Sequence, residues 1–153
     1  MSFVLKKRFS QNFLIDNNIL SKITNLIDLD KLNILEIGPG DGRLTEKILS
    51  RRPKLLTLIE IDKNLVSILS EKYSYKKNIE LINEDIMKFN IKKKYELIIS
   101  NLPYNISSQI LVKICLLENL PDKLIFMFQK EFAQRLLDKN LNSINSLISA
   151  FIM

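Results

Sequence analysis

Strand-like apolar runs that alternate with helix-periodic segments constrain this chain more than any other feature. The runs are 33–37, 55–61, 79–83, 95–100 and 123–128, all rich in Ile, Leu and Phe. Such runs suit strands that are covered on both faces, as in a parallel sheet. Between them the apolar residues recur every three to four positions. Ile19, Leu20, Ile23 and Ile27 make one face of 17–28, with Asp16 or Asn17 as N-cap, and Leu44 and Ile48 one face of 43–52. Leu65, Ile68, Leu69 and Tyr73 do so in 63–73 after the cap Asp62, and Ile110, Leu111, Ile114 and Leu117 in 107–118 after Ser107. Phe132, Leu136 and Leu137 mark 130–138. The alternation predicts an α/β fold with a doubly wound parallel sheet. With no repeat and no linker, the 153 residues read as a single domain, 1–153. The stretch 144–153, with Ile144, Leu147, Ile148 and Phe151, predicts one more helix.

All three glycines, Gly38, Gly40 and Gly42, lie in the segment Glu36-Ile37-Gly38-Pro39-Gly40-Asp41-Gly42, between the first strand and the next helix. Glycine permits positive φ and close backbone approach. The spacing is one residue tighter than the dinucleotide fingerprint that wraps a pyrophosphate. It suits a backbone lying against a nucleoside or amino-acid moiety, and equally a structural turn.

Three further groups follow strands. Glu60 ends the second strand, where an acid can accept both hydroxyls of a ribose. Asp85, past the third strand, can accept from an adenine amino group. With the glycine loop they form a row at the carboxyl ends of the strands, the ligand-binding edge of an open α/β sheet. Asn101-Leu102-Pro103-Tyr104 follows the fourth strand, which in a doubly wound order neighbours the first. An exocyclic amine is a poor nucleophile because its lone pair is delocalised into the ring. The Asn101 carboxamide oxygen and a backbone carbonyl, that of Leu102, can accept its hydrogens and draw the nitrogen toward a nucleophilic geometry. Pro103 stiffens the turn, and Tyr104 offers a stacking face for a flipped base.

Composition excludes other chemistries. With no His there is no Ser-His-Asp triad and no His-ligated metal, and a single Cys, Cys115, allows neither an internal disulfide nor a paired-cysteine zinc site. No metal is expected. No apolar run approaches the ~20 residues of a membrane-spanning helix. The opening Met1-Ser2-Phe3-Val4-Leu5-Lys6-Lys7-Arg8 puts apolar residues before charges, the reverse of a secretory signal, so a cytoplasmic protein is expected. The net charge of +6 suits nucleic acid, but Lys, Asn and Ile are so abundant that an AT-rich coding bias also explains it. The Lys runs 6–7, 76–77 and 92–94 therefore read either as solvated loops or as an RNA footprint.

Asn101-Leu102-Pro103-Tyr104 together with Gly38-Pro39-Gly40-Asp41-Gly42 resembles S-adenosylmethionine-dependent amino-group methyltransferases. With Arg8-Phe9-Ser10-Gln11-Asn12-Phe13-Leu14 the chain is similar to the ribosomal RNA adenine N6,N6-dimethyltransferase family. Pro39, Leu102 and Gln129-Lys130-Glu131 are similar to its small-subunit branch. The resemblance implies S-adenosylmethionine as cofactor, small-subunit rRNA as partner and a monomer. It implies cofactor contacts from Asn12, Leu14, Gly38, Gly40, Glu60, Asp85 and Asn101, and a catalytic segment Asn101, Leu102, Pro103 and Tyr104. Phe9, Phe13 and Leu14 also suit a plain hydrophobic lid. Large-subunit rRNA methylation and a non-catalytic ribosome-assembly role are the alternatives.

Family members continue into two more strands and a C-terminal helical domain. The resemblance therefore implies a Rossmann-like methyltransferase sheet lacking those last strands and that domain. Such a chain is a reduced enzyme, a fragment or a decayed copy. The edge of the fifth strand is expected to be open.

Overall fold

The computed structural model describes residues 16–102, 105–128, 130–137 and 148–151. Strands β1 (Asn33–Ile37), β2 (Leu55–Glu60), β3 (Ile79–Asn83), β4 (Leu97–Asn101), β5 (Lys123–Met127) and β6 (Ile148–Phe151) form one sheet. Helices α1 (Asn17–Thr24), α2 (Arg43–Leu49), α3 (Lys63–Tyr73), α4 (Ser107–Cys115) and α5 (Lys130–Leu137) intervene. The strand order is β3-β2-β1-β4-β5-β6, and every pairing is parallel. The order reverses between β1 and β4, the switch point of a doubly wound sheet.

Alternation along each strand separates two cores. Ile34, Leu56, Leu58, Leu97 and Ile99 face α1, α2 and α3 through Leu20, Ile23, Leu44, Ile48 and Leu69. Leu35, Ile37, Ile98, Leu124 and Phe126 face α4 and α5 through Ile110, Leu111, Ile114 and Ala133. Strands β1, β2, β4 and β5 are thus covered on both sides, which is why their sequences are apolar almost throughout, whereas β3 is half-buried with Glu80 and Asn83 exposed.

Local signals set the helix starts. Asp16 accepts from the Asn18 amide at 2.8 Å, and Asp62 from the Asn64 amide at 2.9 Å. Each satisfies one of the amide groups that a helix leaves without an internal partner. At α4 the expectation shifts by one residue: Ile106 is the N-cap, with no side-chain cap bond, and Ser107 is the first helical residue. The expected fourth strand also starts later, at Leu97, because Tyr95 is a buried loop residue packed in the α4–α5 core.

The segment expected as a helix over 144–153 is a strand over 148–151. It pairs in parallel with β5, from Leu124 opposite Ile148 to Met127 opposite Phe151. This also corrects the expectation of an open β5 edge. A short apolar run fits helix and strand alike, and the unpaired main chain of β5 is a template for another strand.

Candidate active site

The carboxyl ends of β1, β2 and β4 converge on the glycine loop. Gly38, directly after β1, donates its amide hydrogen to the Ile59 carbonyl of β2 at 2.8 Å. It holds φ at +66°, and a Cβ added there would meet no atom of the described residues within 4 Å. The glycine is therefore required by backbone conformation, and no described residue fills the space beside it. At the other end Gly42 holds φ at +84° and caps α2. Here space is the constraint: a Cβ would lie 2.7 Å from the Tyr73 hydroxyl and 3.0 Å from Leu69.

Glu60 is buried at the end of β2. One carboxylate oxygen accepts from the Gly40 amide at 3.2 Å and the other from the Asp62 amide at 2.9 Å. Burial pushes its pKa above the usual carboxylate range, and the amide donors oppose that shift. Glu60 thus ties the glycine loop to the start of α3. Asn83 reinforces this corner, donating its side-chain amide to the Glu60 carbonyl at 2.8 Å.

Asp85 is half-buried beyond β3 and accepts from the Met87 amide at 2.9 Å, fixing the turn in which it sits. Asn101 is the last residue of β4, two positions past the Glu36–Ile99 pair that joins β4 to β1. Its neighbour Ser100 is fully buried and donates its hydroxyl hydrogen to the Ile37 carbonyl, so the ends of β1 and β4 are locked together. Leu102 is buried in the α4–α5 core. The structure therefore brings Gly38, Gly40, Glu60, Asp85 and Asn101 to one edge. Asn12, Leu14, Pro103 and Tyr104 lie outside the described residues.

Glu36 has no role in the sequence reading, and the structure gives it one. It is 1% exposed, on the sheet face of α2, where Thr45 donates its hydroxyl hydrogen at 2.8 Å. Burial pushes its pKa up to about 8; Thr45 opposes the shift, and nearby Glu60 adds to it. The available signal was a carboxylate inside a run otherwise covered on both faces, since carboxylates are almost never fully buried without a partner. Tyr73 and Ser100 also support the loop, but their partners are main-chain groups that no side-chain pattern reveals. Among the described residues no group of three or more His, Cys, Asp or Glu could hold a metal ion.

The sequence matches the family model for ribosomal RNA adenine dimethylase over residues 2–153. The chain belongs to the ribosomal RNA adenine dimethylase family. Among its relatives in that family is a ribosomal RNA small subunit methyltransferase A from a Sulfurihydrogenibium species. It is 40% identical, over 96% of this chain and 59% of its own length. The protein of the same name from Mycoplasmopsis pulmonis is 44% identical, over 94% of this chain and 57% of its own length. The chain thus spans somewhat over half the length of these dimethylase-family relatives. A solved dimethyladenosine transferase from Plasmodium falciparum superposes with a TM-score of 0.73 at 33% identity, covering 84% of this chain and 49% of that one. The 23S rRNA methyltransferase ErmE does so at 0.72 and 30% identity, covering 84% and 52%. The dimethylase family thus shares this doubly wound sheet.

Proposed function

We propose that the chain carries the methyl-transfer site of an rRNA adenine N6,N6-dimethyltransferase acting on adjacent adenosines near the 3′ end of small-subunit rRNA. The cofactor of this family is S-adenosylmethionine, which supplies an electrophilic methyl group. The residues present suit it. The space at Gly38, filled by no described residue, admits a ligand against bare backbone, and Glu60 and Asp85 supply carboxylates along the same edge. Ile61, 45% exposed beside Glu60, offers an apolar face to a base. Asn12 and Leu14 close over the methionine or ribose part.

In this reading Asn101 is the catalytic residue. Its side-chain oxygen and the Leu102 carbonyl accept the two hydrogens of the target amine, which localises the nitrogen lone pair. Pro103 stiffens the turn, and Tyr104 stacks on the flipped adenine. No strong base is required, because the amine loses its proton only after it has gained the methyl group. The buried Glu36, its pKa pushed up to about 8, is mostly protonated at neutral pH.

The carrying observation is the convergence of the glycine loop, Glu60 and Asn101 across the β1–β4 switch point. The small-subunit reading is favoured over the large-subunit one by relatives. Relatives named for the small subunit are 37–47% identical, against 30% for the 23S enzyme. The site belongs to a monomer working in the cytoplasm, where ribosomal subunits are assembled. The test is transfer of labelled methyl groups to unmethylated small and large subunits offered separately. Labelling of small-subunit adenosines, lost in Asn101→Ala, is expected. Labelling of large subunits alone would refute the substrate, and binding to immature small subunits without transfer would instead assign an assembly role.

A further inference from the structure

The parallel sheet has two poles, and only one carries the site described above. At the other, the loop entering β2 reads Arg51-Arg52-Pro53-Lys54 and the loop entering β3 reads Tyr75-Lys76-Lys77-Asn78. The two are laced together. The Asn78 side-chain amide donates to the Pro53 carbonyl at 3.0 Å, and the Leu56 amide to the Asn78 carbonyl at 2.9 Å. All five cations are exposed.

Nearby acids neutralise little of this charge. Asp30 lies 3.5 Å from Arg52 and 4.0 Å from Lys31. Glu80 is engaged by Lys93 at 3.1 Å, and the Arg51 guanidinium is held by Asn25. Lys54, Lys76 and Lys77 have no carboxylate within ion-pair distance among the described residues. In their midst Tyr75 is 72% exposed, with the Lys76 ammonium 5.3 Å from its ring centre. A tyrosine ring mostly presented to water beside these cations buries little in the fold itself.

We propose that these two loops form a second RNA-binding surface, in which Arg51, Arg52, Lys54, Lys76 and Lys77 hold backbone phosphates and Tyr75 stacks on an unpaired base. The proposal rests on the rRNA-methylating reading and extends it. Strands of five or six residues span roughly 17–20 Å. RNA gripped here is therefore a different part of the rRNA from the segment that enters the Asn101 site. The charge alone would also suit an anionic membrane, but insertion needs apolar side chains, and the two loops expose none besides Tyr75. The Lys76–Lys77 run is then a footprint and not merely a solvated loop.

The test is rRNA binding by the whole chain at several salt concentrations. Lys54→Glu/Lys77→Glu is compared with the charge-matched Lys94→Glu/Lys123→Glu at the amino end of β5. The first pair is expected to make the log–log salt slope shallower by about 1.4–1.8, the loss of two phosphate contacts, and the second pair to leave it unchanged. Tyr75→Ala should weaken binding to single-stranded rRNA about tenfold with the slope intact. S-adenosylmethionine affinity should be the same in all variants. Equal slopes for the two pairs, or an inert Tyr75→Ala, would overturn the proposal. So would loss of binding to phosphatidylserine vesicles with rRNA binding intact, which would assign the surface to a membrane. A wild-type chain that methylates while the slopes match sinks only this surface. A wild-type chain that binds no rRNA sinks the rRNA reading as well.

Discussion

The Tyr73 hydroxyl donates its hydrogen to the Gly42 carbonyl at 3.1 Å, joining the end of α3 to the start of α2 across 31 residues. The same carbonyl accepts the Glu46 amide of α2 at 3.0 Å. Lys72 adds an ion pair with Glu46 at 2.6 Å. The far end of the glycine loop is thus clamped by α3, and a side chain at position 42 has nowhere to go.

Gly42→Ala should therefore destabilise the fold by about 2–3 kcal/mol, combining left-handed backbone strain with overpacking against Tyr73 and Leu69. Tyr73→Phe should cost about 1 kcal/mol for the lost hydrogen bond. Because the tyrosine oxygen is the nearest atom to the added methyl, the double variant should fall short of the sum by about 1 kcal/mol. Denaturant unfolding of all four proteins checks this, and strict additivity would refute the clamp.

Glu36 makes stability pH-dependent. Its pKa rises from an ordinary 4.5 to about 8 in the fold. The unfolded chain gives up this proton above pH 4.5, while the folded protein holds it until about pH 8. Stability therefore falls as pH rises through that window, by about 1.4 kcal/mol per unit where the two states differ by one proton. Glu60, shifted in the same direction, adds to the trend. Glu36→Gln should flatten the dependence and be more stable than wild type at pH 8. Unfolding midpoints at pH 5, 6, 7 and 8 decide it; parallel curves would show that Glu36 ionises normally.

Glu60 uses its two carboxylate oxygens on two different amides, so the isosteric Glu60→Gln puts a donor where an acceptor is needed. A loss of about 1–3 kcal/mol in stability is expected. S-adenosylmethionine affinity should fall about tenfold or more, the scale of one charge-assisted hydrogen bond. Calorimetric titration and thermal unfolding read the two effects separately. Unchanged affinity would remove Glu60 from the cofactor site while leaving its structural role.

Deleting 148–153 would strip β6 from β5 and leave an open parallel edge. Faster amide exchange over Leu124–Met127 and concentration-dependent light scattering are expected. Unaltered exchange would show that β6 contributes no protection to β5.

The sequence was most legible where one residue type answers one local demand. The apolar runs located β1, β2, β4 and β5 because both faces of each are covered, and the half-buried β3 by its Ile and Leu residues; Asp62 and the Asp16–Asn17 pair marked helix starts because a short polar side chain satisfies amides within its own turn. The three glycines marked the loop because positive φ is costly for other residues. Legibility ended where the deciding partner is distant. Ser107 looked like a cap, yet the chain enters α4 through Ile106. The stretch around 148 had helical spacing, yet an unpaired strand edge was waiting for it.

The sequence by itself determined the class of the sheet, its switch point and the row of Gly38, Glu60, Asp85 and Asn101, since these follow from periodicity and from chain order in a parallel array. Only the tertiary structure decided that Glu36 is buried on Thr45, that both oxygens of Glu60 are engaged, and that Gly42 is held by Tyr73. It alone placed 148–151 on β5 and brought Arg51–Lys54 beside Tyr75–Asn78. The physical reason is common to all of these. Hydrogen bonds, desolvation and surface charge depend on which distant segments meet, and that is fixed by packing the two faces of the sheet rather than by any local run of residues.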